Sequence, residues 1–296
     1  MSGIVHLLVS PDAGRGRADG AHATVVSTLR AEGFEPVDIT GPDAASSLAA
    51  ARAVVDEGAE RLVVVGGDGL VHLATQALAT SDTALAVVPV GTGNDFVRGL
   101  DGIADDVVTA TRAALGPARP LDAIRADDAW IASVATVGFS GDVNERANRL
   151  HRPRGPSRYT VATLLELGGL QRRDLRITVD GAVHDHRAAL VAVGNTGWFG
   201  GGMHICPDAD PHDGLLDVTV VGDVGRFELL RFFRLVFSGN HMAHPRVVAH
   251  RGAEVRIETV AASADRALPL WGDGEPVDVA PVTLHAVPGA LRLVSA

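Results

Sequence analysis

The feature that most constrains this chain is the alternation in roughly its first 120 residues of short branched-apolar runs with segments of helical period. Ile4–Val9 reads as a buried strand stopped by Ser10-Pro11, and Ala21, Val25, Val26 and Leu29 then share one helical face. Val37–Thr40 is a second strand. Gly41-Pro42 turns into a helix that Asp43 can cap, with Ala45, Leu48, Ala49 and Ala53 facing inward. Leu62–Val65, a helix over Val71–Leu78 and a strand over Leu85–Val90 complete the series. Such a βαβα order demands a mostly parallel sheet covered by helices.

From about Pro120 the grain changes. Leu175–Val179, Ala189–Val193, Leu216–Val221, Val255–Thr259 and Val282–Val287 are strand-like, with turn dipeptides such as Asp180-Gly181 and Asp273-Gly274 between them. Helical stretches stand out only around Pro156–Leu170 and Phe227–Ser238. The expectation is an α/β nucleotide-binding domain over residues 1–120, then a mainly antiparallel, β-sandwich-like domain over 121–296. Ala290–Val294 is a candidate for a last strand returning to the first domain.

Composition narrows the chemistry. The chain has 296 residues and a formal net charge of −10, which argues against binding nucleic acid through excess cations. All 26 of its basic residues are arginine. Without a lysine there is no Walker-A loop, no kinase-type catalytic lysine and no Schiff base. The single cysteine, Cys206, excludes an intramolecular disulfide and a thiolate zinc cluster. No stretch approaches the about 18 apolar residues of a spanning helix, and the first apolar run, stopped at Ser10-Pro11, is expected to be too short for a signal h-region. The expected setting is cytoplasmic.

In open α/β sheets, ligands bind at the carboxyl ends of the strands. There the chain places Ser10-Pro11-Asp12-Ala13-Gly14-Arg15-Gly16, Thr40, Gly66-Gly67-Asp68-Gly69 and Gly91-Thr92-Gly93-Asn94-Asp95. Glycines let main-chain N–H groups approach phosphate oxygens, and helix N-termini add favourable charge. Asp68 and Asp95 are candidate oxygen ligands for Mg2+, directly or through water. Any one such loop is an ordinary connector; four in register point to a phosphate or nucleotide site.

Val65-Gly66-Gly67-Asp68-Gly69 and Pro89-Val90-Gly91-Thr92-Gly93-Asn94-Asp95-Phe96 resemble motifs of the diacylglycerol kinase catalytic-domain family. That family groups bacterial lipid kinases with sphingosine and ceramide kinases and is distantly similar to NAD kinases. The resemblance continues through Gly194-Asn195, Gly200-Gly201-Gly202-Met203, Pro207-Asp208-Ala209 and Asp213-Gly214-Leu215-Leu216-Asp217, ending at Gly272-Asp273-Gly274-Glu275. It implies two domains with the active site in the cleft between them. It also implies transfer of the γ-phosphoryl group of ATP, with Mg2+, to a lipid hydroxyl, the default acceptor being diacylglycerol. Nucleotide contacts would fall on Ser10, Pro11, Asp12, Ala13 and Gly14, on Thr40, on Gly67, Asp68, Gly69, Leu70, Val71, His72 and Leu73, and on Thr92. Asp68 would belong to the ATP–Mg2+ network, with Asn94 and Asp95 nearby. Asp273 and Glu275 would be the catalytic carboxylates, one of them taking the proton of the lipid hydroxyl. A structural Mg2+ would be held by Asp210, Asp213 and the carbonyl of Leu215.

Three positions depart from the family pattern. Leu70 stands where a threonine hydroxyl is usual, Ser10 replaces an asparagine, and Leu215 a lysine or similar residue. The loss at Leu70 motivates one alternative, a catalytically weak nucleotide- or lipid-binding regulator. The other is a soluble-substrate kinase of NAD-kinase type.

Several features have bland readings beside the sharp ones. Asp273-Gly274 is by spacing a hairpin turn, and Asp208, Asp210, Asp213 and Asp217 a solvated acidic loop that can also hold a hard cation. His204 and His212 nearby read as surface residues. Arg15 and Arg98 flank the glycine loops and serve either phosphate or solvent. Phe227, Leu230, Phe233 and Phe237, interleaved with Arg226, Arg231 and Arg234, pack a core or meet a membrane. Arg146, Arg149, Arg152, Arg154 and Arg158 form a second basic cluster, either a solvated loop or a contact for anionic headgroups. The expected partner is a lipid at the inner face of a membrane, met peripherally. The oligomeric state is left open, a homodimer included.

Overall fold

In this computed structural model the described residues are 3–10, 20–100, 104, 106–139, 143, 146, 171–260 and 267–294. Pro11, Asp12, Ala13, Gly14 and Arg15, the helix expected over Pro156–Leu170, and Arg149, Arg152, Arg154 and Arg158 lie outside them. The chain divides into two compact units, residues 1–123 with 288–296, and residues 124–287.

The first unit runs β1 (Ile4–Val9), α1 (Ala21–Ala31), β2 (Glu35–Asp38), α2 (Ala44–Asp56), β3 (Arg61–Gly66), α3 (Asp68–Leu78), β4 (Ala84–Pro89), α4 (Asp95–Arg98) and α5 (Val107–Ala113). Its strands pair in parallel in the order β2-β1-β3-β4. Leu7, Val63, Val65, Ala86 and Val88 pack with Val25 and Leu29 of α1 and Ala110 of α5. The alternate residues Leu8, Leu62, Val64, Leu85 and Val87 are equally buried, so both faces of the sheet are covered. Asp43 caps α2 as expected, its Oδ1 accepting from Ser46 N at 2.7 Å. The second strand lies two residues earlier than its sequence pattern suggested. It is an edge strand, where Pro36 costs no ladder bond.

β5 (Ala118–Ala126) leads into the second unit. There β6 (Ala129–Ile131), β7 (Val134–Gly138), β8 (Arg173–Val179), β9 (Ala182–Ala188) and β10 (Leu190–Gly194) are followed by the short hairpin β11 (Trp198–Phe199) and β12 (Met203–His204). Next come β13 (Leu216–Val221), α6 (Arg226–Val236), β14 (Val247–Gly252), β15 (Glu254–Thr259), β16 (Pro269–Gly272), β17 (Glu275–Val279) and β18 (Val282–Val294). One antiparallel layer holds β14-β13-β10-β7-β16-β17; the other carries β18-β15-β8-β9. Period-two patterning sorts the residues. Val191 and Val193 of β10 enter the core between the layers, whereas Leu190 and Ala192 join Leu229, Phe232 and Val236 of α6 on the outer face. At its end β18 pairs in parallel with β4, Leu293 opposite Leu85, beside the first unit's strands.

Candidate active site

In the first unit the candidate residues gather where β1, β2, β3 and β4 end. The loops after β3 and β4 touch through bare main chain. A Cβ on Gly91 would lie 2.6 Å from Gly67 Cα and 2.6 Å from Asn94 Oδ1, so only glycine fits there. Asn94 holds its loop in the left-handed region, φ 53°, and donates from Nδ2 to Gly91 O at 3.1 Å. Its Oδ1 is buried without a hydrogen bond among the described residues.

Asp68 opens α3, where a carboxylate is favoured by the helix dipole, and its Oδ1 accepts from Phe96 N at 3.0 Å. That bond ties the head of α3 to the loop carrying Thr92, Gly93, Asn94 and Asp95. Space is open at Gly69, where an added Cβ would meet nothing within 4 Å; Val71 is buried, and His72 and Leu73 are half-buried. Leu70 folds back over Gly66, where an added Cβ would meet Leu70 Cδ2 at 2.9 Å and Ser10 Cβ at 3.5 Å. Ser10 itself is fixed through its main chain, its N donating to Val65 O at 2.9 Å. Thr40 secures the end of β1, its Oγ1 accepting from Val9 N at 2.8 Å. Arg98 is exposed, and its Nε donates to Gly93 O at 3.1 Å. It therefore stiffens the glycine loop as well as offering charge.

In the second unit Asp273 and Gly274 make the two-residue turn between β16 and β17, with φ values of 52° and 89° and Gly272 opposite Glu275. Both central residues have positive φ, as a type I′ hairpin turn requires. The hairpin reading is thus met, but the carboxylate does more. Its Oδ2 accepts from Ala132 N at 2.9 Å and its Oδ1 from Ser133 N at 2.8 Å. Asn195 grips the same Ala132–Ser133 turn from another side: Nδ2 donates to Ala132 O at 2.9 Å, and Asn195 N to Ser133 O at 2.8 Å. Two separate sequence motifs, Gly194-Asn195 and Asp273-Gly274-Glu275, converge on one turn. The receiving residues Ala132 and Ser133 carried no sequence signal, because main-chain groups serve. Glu275, the first residue of β17, is exposed.

The acidic loop is built of two tight turns. Asp210 Oδ1 accepts from His212 N at 3.1 Å and Asp213 Oδ1 from Leu215 N at 2.9 Å, with Gly214 at φ 74°. Arg251 pairs with Asp213, and its Nε lies 3.3 Å from Asp217 Oδ2. That oxygen is buried and makes no aligned hydrogen bond. Burial, reinforced by Asp208 and Asp210, pushes the Asp217 carboxyl up to about 6. Among the described residues no group of three or more His, Cys, Asp or Glu side chains is arranged to hold a metal. The set named for Mg2+ differs in kind: two side chains, Asp210 and Asp213, and the main-chain carbonyl of Leu215. Its hard oxygens are the donors that cation takes, although Asp213 Oδ1 already accepts from Leu215 N and its Oδ2 pairs with Arg251.

Residues 4–126 match the family model described as the diacylglycerol kinase catalytic domain. Residues 133–295 match the model described as the YegS C-terminal NAD kinase beta sandwich-like domain. The chain is 37% identical over 302 residues to a diacylglycerol kinase of Mycobacterium tuberculosis H37Rv, covering 99% of this chain and 95% of that protein. It is 30% identical over 280 residues to a protein of Xanthomonas euvesicatoria pv. vesicatoria named as a probable lipid kinase, YegS-like, covering 90% and 89%. A crystal structure described as a diacylglycerol kinase of Bacillus anthracis Sterne shares its fold, with a TM-score of 0.72 at 21% identity over 99% of this chain and 96% of that one.

Proposed function

Because the chain belongs to the diacylglycerol kinase family and is a lipid kinase, we propose that it moves the γ-phosphoryl group of ATP, with Mg2+, to diacylglycerol. The product is phosphatidic acid, a precursor for phospholipid synthesis, made at the inner face of the membrane. The observation that carries the reading is the contact of two bare glycine loops at Gly67 and Gly91, locked by Asp68 at the head of α3. The choice of acceptor is supported by the name of the mycobacterial relative.

Phosphoryl transfer asks for positioning and charge stabilisation rather than covalent chemistry by the protein. The α3 N-terminus supplies positive partial charge, and the glycines beside it let phosphate oxygens approach the main chain. Asp68 would offer an oxygen ligand on the nucleotide side, Asp95 being buried at the start of α4, while Asp210, Asp213 and the Leu215 carbonyl would hold the structural ion. Bound Mg2+ supplies charge neutralisation at the phosphates, which a lysine-free chain otherwise has only from N–H groups and arginine.

Glu275 is the general base in this reading. Asp273 is committed to structure, since its two oxygens already accept main-chain hydrogen bonds from Ala132 and Ser133. Asp273 therefore positions the turn from which Glu275 projects. Glu275 accepts the proton of the acceptor hydroxyl as its oxygen bonds to the γ-phosphorus; the bond to the bridging oxygen breaks and ADP leaves.

The test is label transfer from γ-labelled ATP to mixed micelles of diacylglycerol, monoacylglycerol, ceramide, sphingosine and phosphatidylglycerol, with and without a chelator. Label should enter the organic phase, most strongly with diacylglycerol, and vanish with the chelator. Label found only in an aqueous product would overturn the lipid acceptor.

A further inference from the structure

Helix α6 is apolar on two opposite sides. Leu229, Phe232 and Val236 are buried against the outer face of the β13-β10 layer. A packed surface helix needs only that stripe. Yet Phe227 is 87% exposed, Leu230 42%, and Phe237, which caps the helix, 54%. These residues recur at spacings of three and seven, so they line one edge of the helix, and the exposed Arg231 and Arg234 lie between them.

The helix's single acid is turned away from that edge. Glu228 Oε2 accepts from Gly225 N at 3.1 Å, and its Oε1 lies 3.4 Å from His244 Nε2. The edge is thus aromatic and cationic on a chain whose net charge is −10. Among the described residues no helix is long and apolar enough to cross a membrane.

We propose that this edge of α6 docks the enzyme on an anionic phospholipid surface, with Phe227, Leu230 and Phe237 entering the headgroup–acyl boundary and Arg231 and Arg234 pairing with lipid phosphates. The proposal rests on the lipid-kinase reading only for its purpose, since the acceptor resides in that surface. A second copy of the chain is a poorer occupant. Three partly exposed side chains offer roughly 300 Å² of apolar area, given about 150–250 Å² for a whole aromatic side chain. A stable dimer buries about 800 Å² per partner. The arginines fit lipid phosphates, which lie in a plane at the depth where long basic side chains reach out beside aromatic anchors.

The experiment is co-sedimentation with vesicles of phosphatidylcholine alone and of phosphatidylcholine mixed with phosphatidylglycerol, which needs no turnover. Wild-type protein should bind the mixed vesicles. Phe227→Ser with Phe237→Ser should weaken that binding at least tenfold, and Arg231→Gln with Arg234→Gln should remove about a tenfold preference for anionic lipid. Both variants should phosphorylate monomeric short-chain diacylglycerol at the wild-type rate and lose activity only on vesicles. If the double serine variant does not fold, Phe227→Ser alone carries the same test. Variants that sediment like wild type would overturn the proposal, even with kinase activity intact. So would substitutions that change the oligomeric state while vesicle binding persists, and these would assign the edge to a second copy. Vesicle binding lost by the variants in a protein that phosphorylates no lipid would leave the docking edge standing and remove the kinase reading.

Discussion

Three of the candidate side chains separate structure from chemistry. Asp68 both carries charge and accepts from Phe96 N, so Asp68→Ala removes two things at once. Asp68→Asn keeps an acceptor for that bond and removes only the charge. The rate should fall by about 100-fold or more with little change in thermal unfolding. Asp273 gives the opposite pattern: Asp273→Ala strands Ala132 N and Ser133 N and should cost about 2–4 kcal/mol in denaturant unfolding, with activity falling as the turn loosens. Leu70 fills space beside Gly66 and Ser10, at the position where the resemblance leads us to expect a hydroxyl. Leu70→Thr should lower the KM for ATP by up to about tenfold, one charge-assisted hydrogen bond, at a stability cost of about 1 kcal/mol. An unchanged KM would mean that this side chain does not face phosphate.

At the scale of elements, the sandwich has an open edge where β9 ends one layer and β14 the other. His184 and His186 on β9 stand opposite the core residues Ile177 and Leu175, and His250 on β14 opposite Val218. The His186 and His250 Nε2 atoms are 3.1 Å apart, and the His184 and His250 ring centroids 4.0 Å apart. Burial, then the neighbouring imidazoles, hold His186 and His250 below the usual histidine range. Their neutral forms favour the fold, so the stability is present above about pH 6.5 and lost as pH falls through their lowered values. The melting temperature should drop on acidification, and His250→Gln should flatten that drop; an identical pH profile would contradict the account. Apolar strands such as Leu216–Val221 were legible from pattern alone. β9, with the sequence Ala-Val-His-Asp-His-Arg-Ala, was not, because an edge strand closed by imidazoles shows no hydrophobic alternation. β18 looked like two pieces because Pro288-Gly289 interrupts its pattern. Gly289 adopts φ 63°, and its N–H is taken by Asp122 Oδ1 at 2.8 Å.

For the whole molecule, a parallel α/β unit and a β-sandwich-like unit were legible because each layer imposes its own period on the sequence. The glycine loops were legible because glycine is irreplaceable where Gly67 and Gly91 meet. The anchoring of Asp273 on Ala132 and Ser133 was not, since it joins residues about 140 positions apart through main-chain atoms. In the proposed reaction a lysine-free chain would neutralise phosphate with N–H groups, arginine and a hard cation, and a carboxylate would remove the proton. The direct test of that account is phosphatidic acid formation from γ-labelled ATP and diacylglycerol micelles with Mg2+, comparing wild type with Glu275→Gln. The wild type should form labelled phosphatidic acid, and the variant should be slower by about 10²–10⁴-fold with ATP affinity nearly unchanged. A Glu275→Gln protein that phosphorylates diacylglycerol at the wild-type rate would contradict the assignment of the base, and a wild type that forms no labelled lipid would contradict the reaction itself.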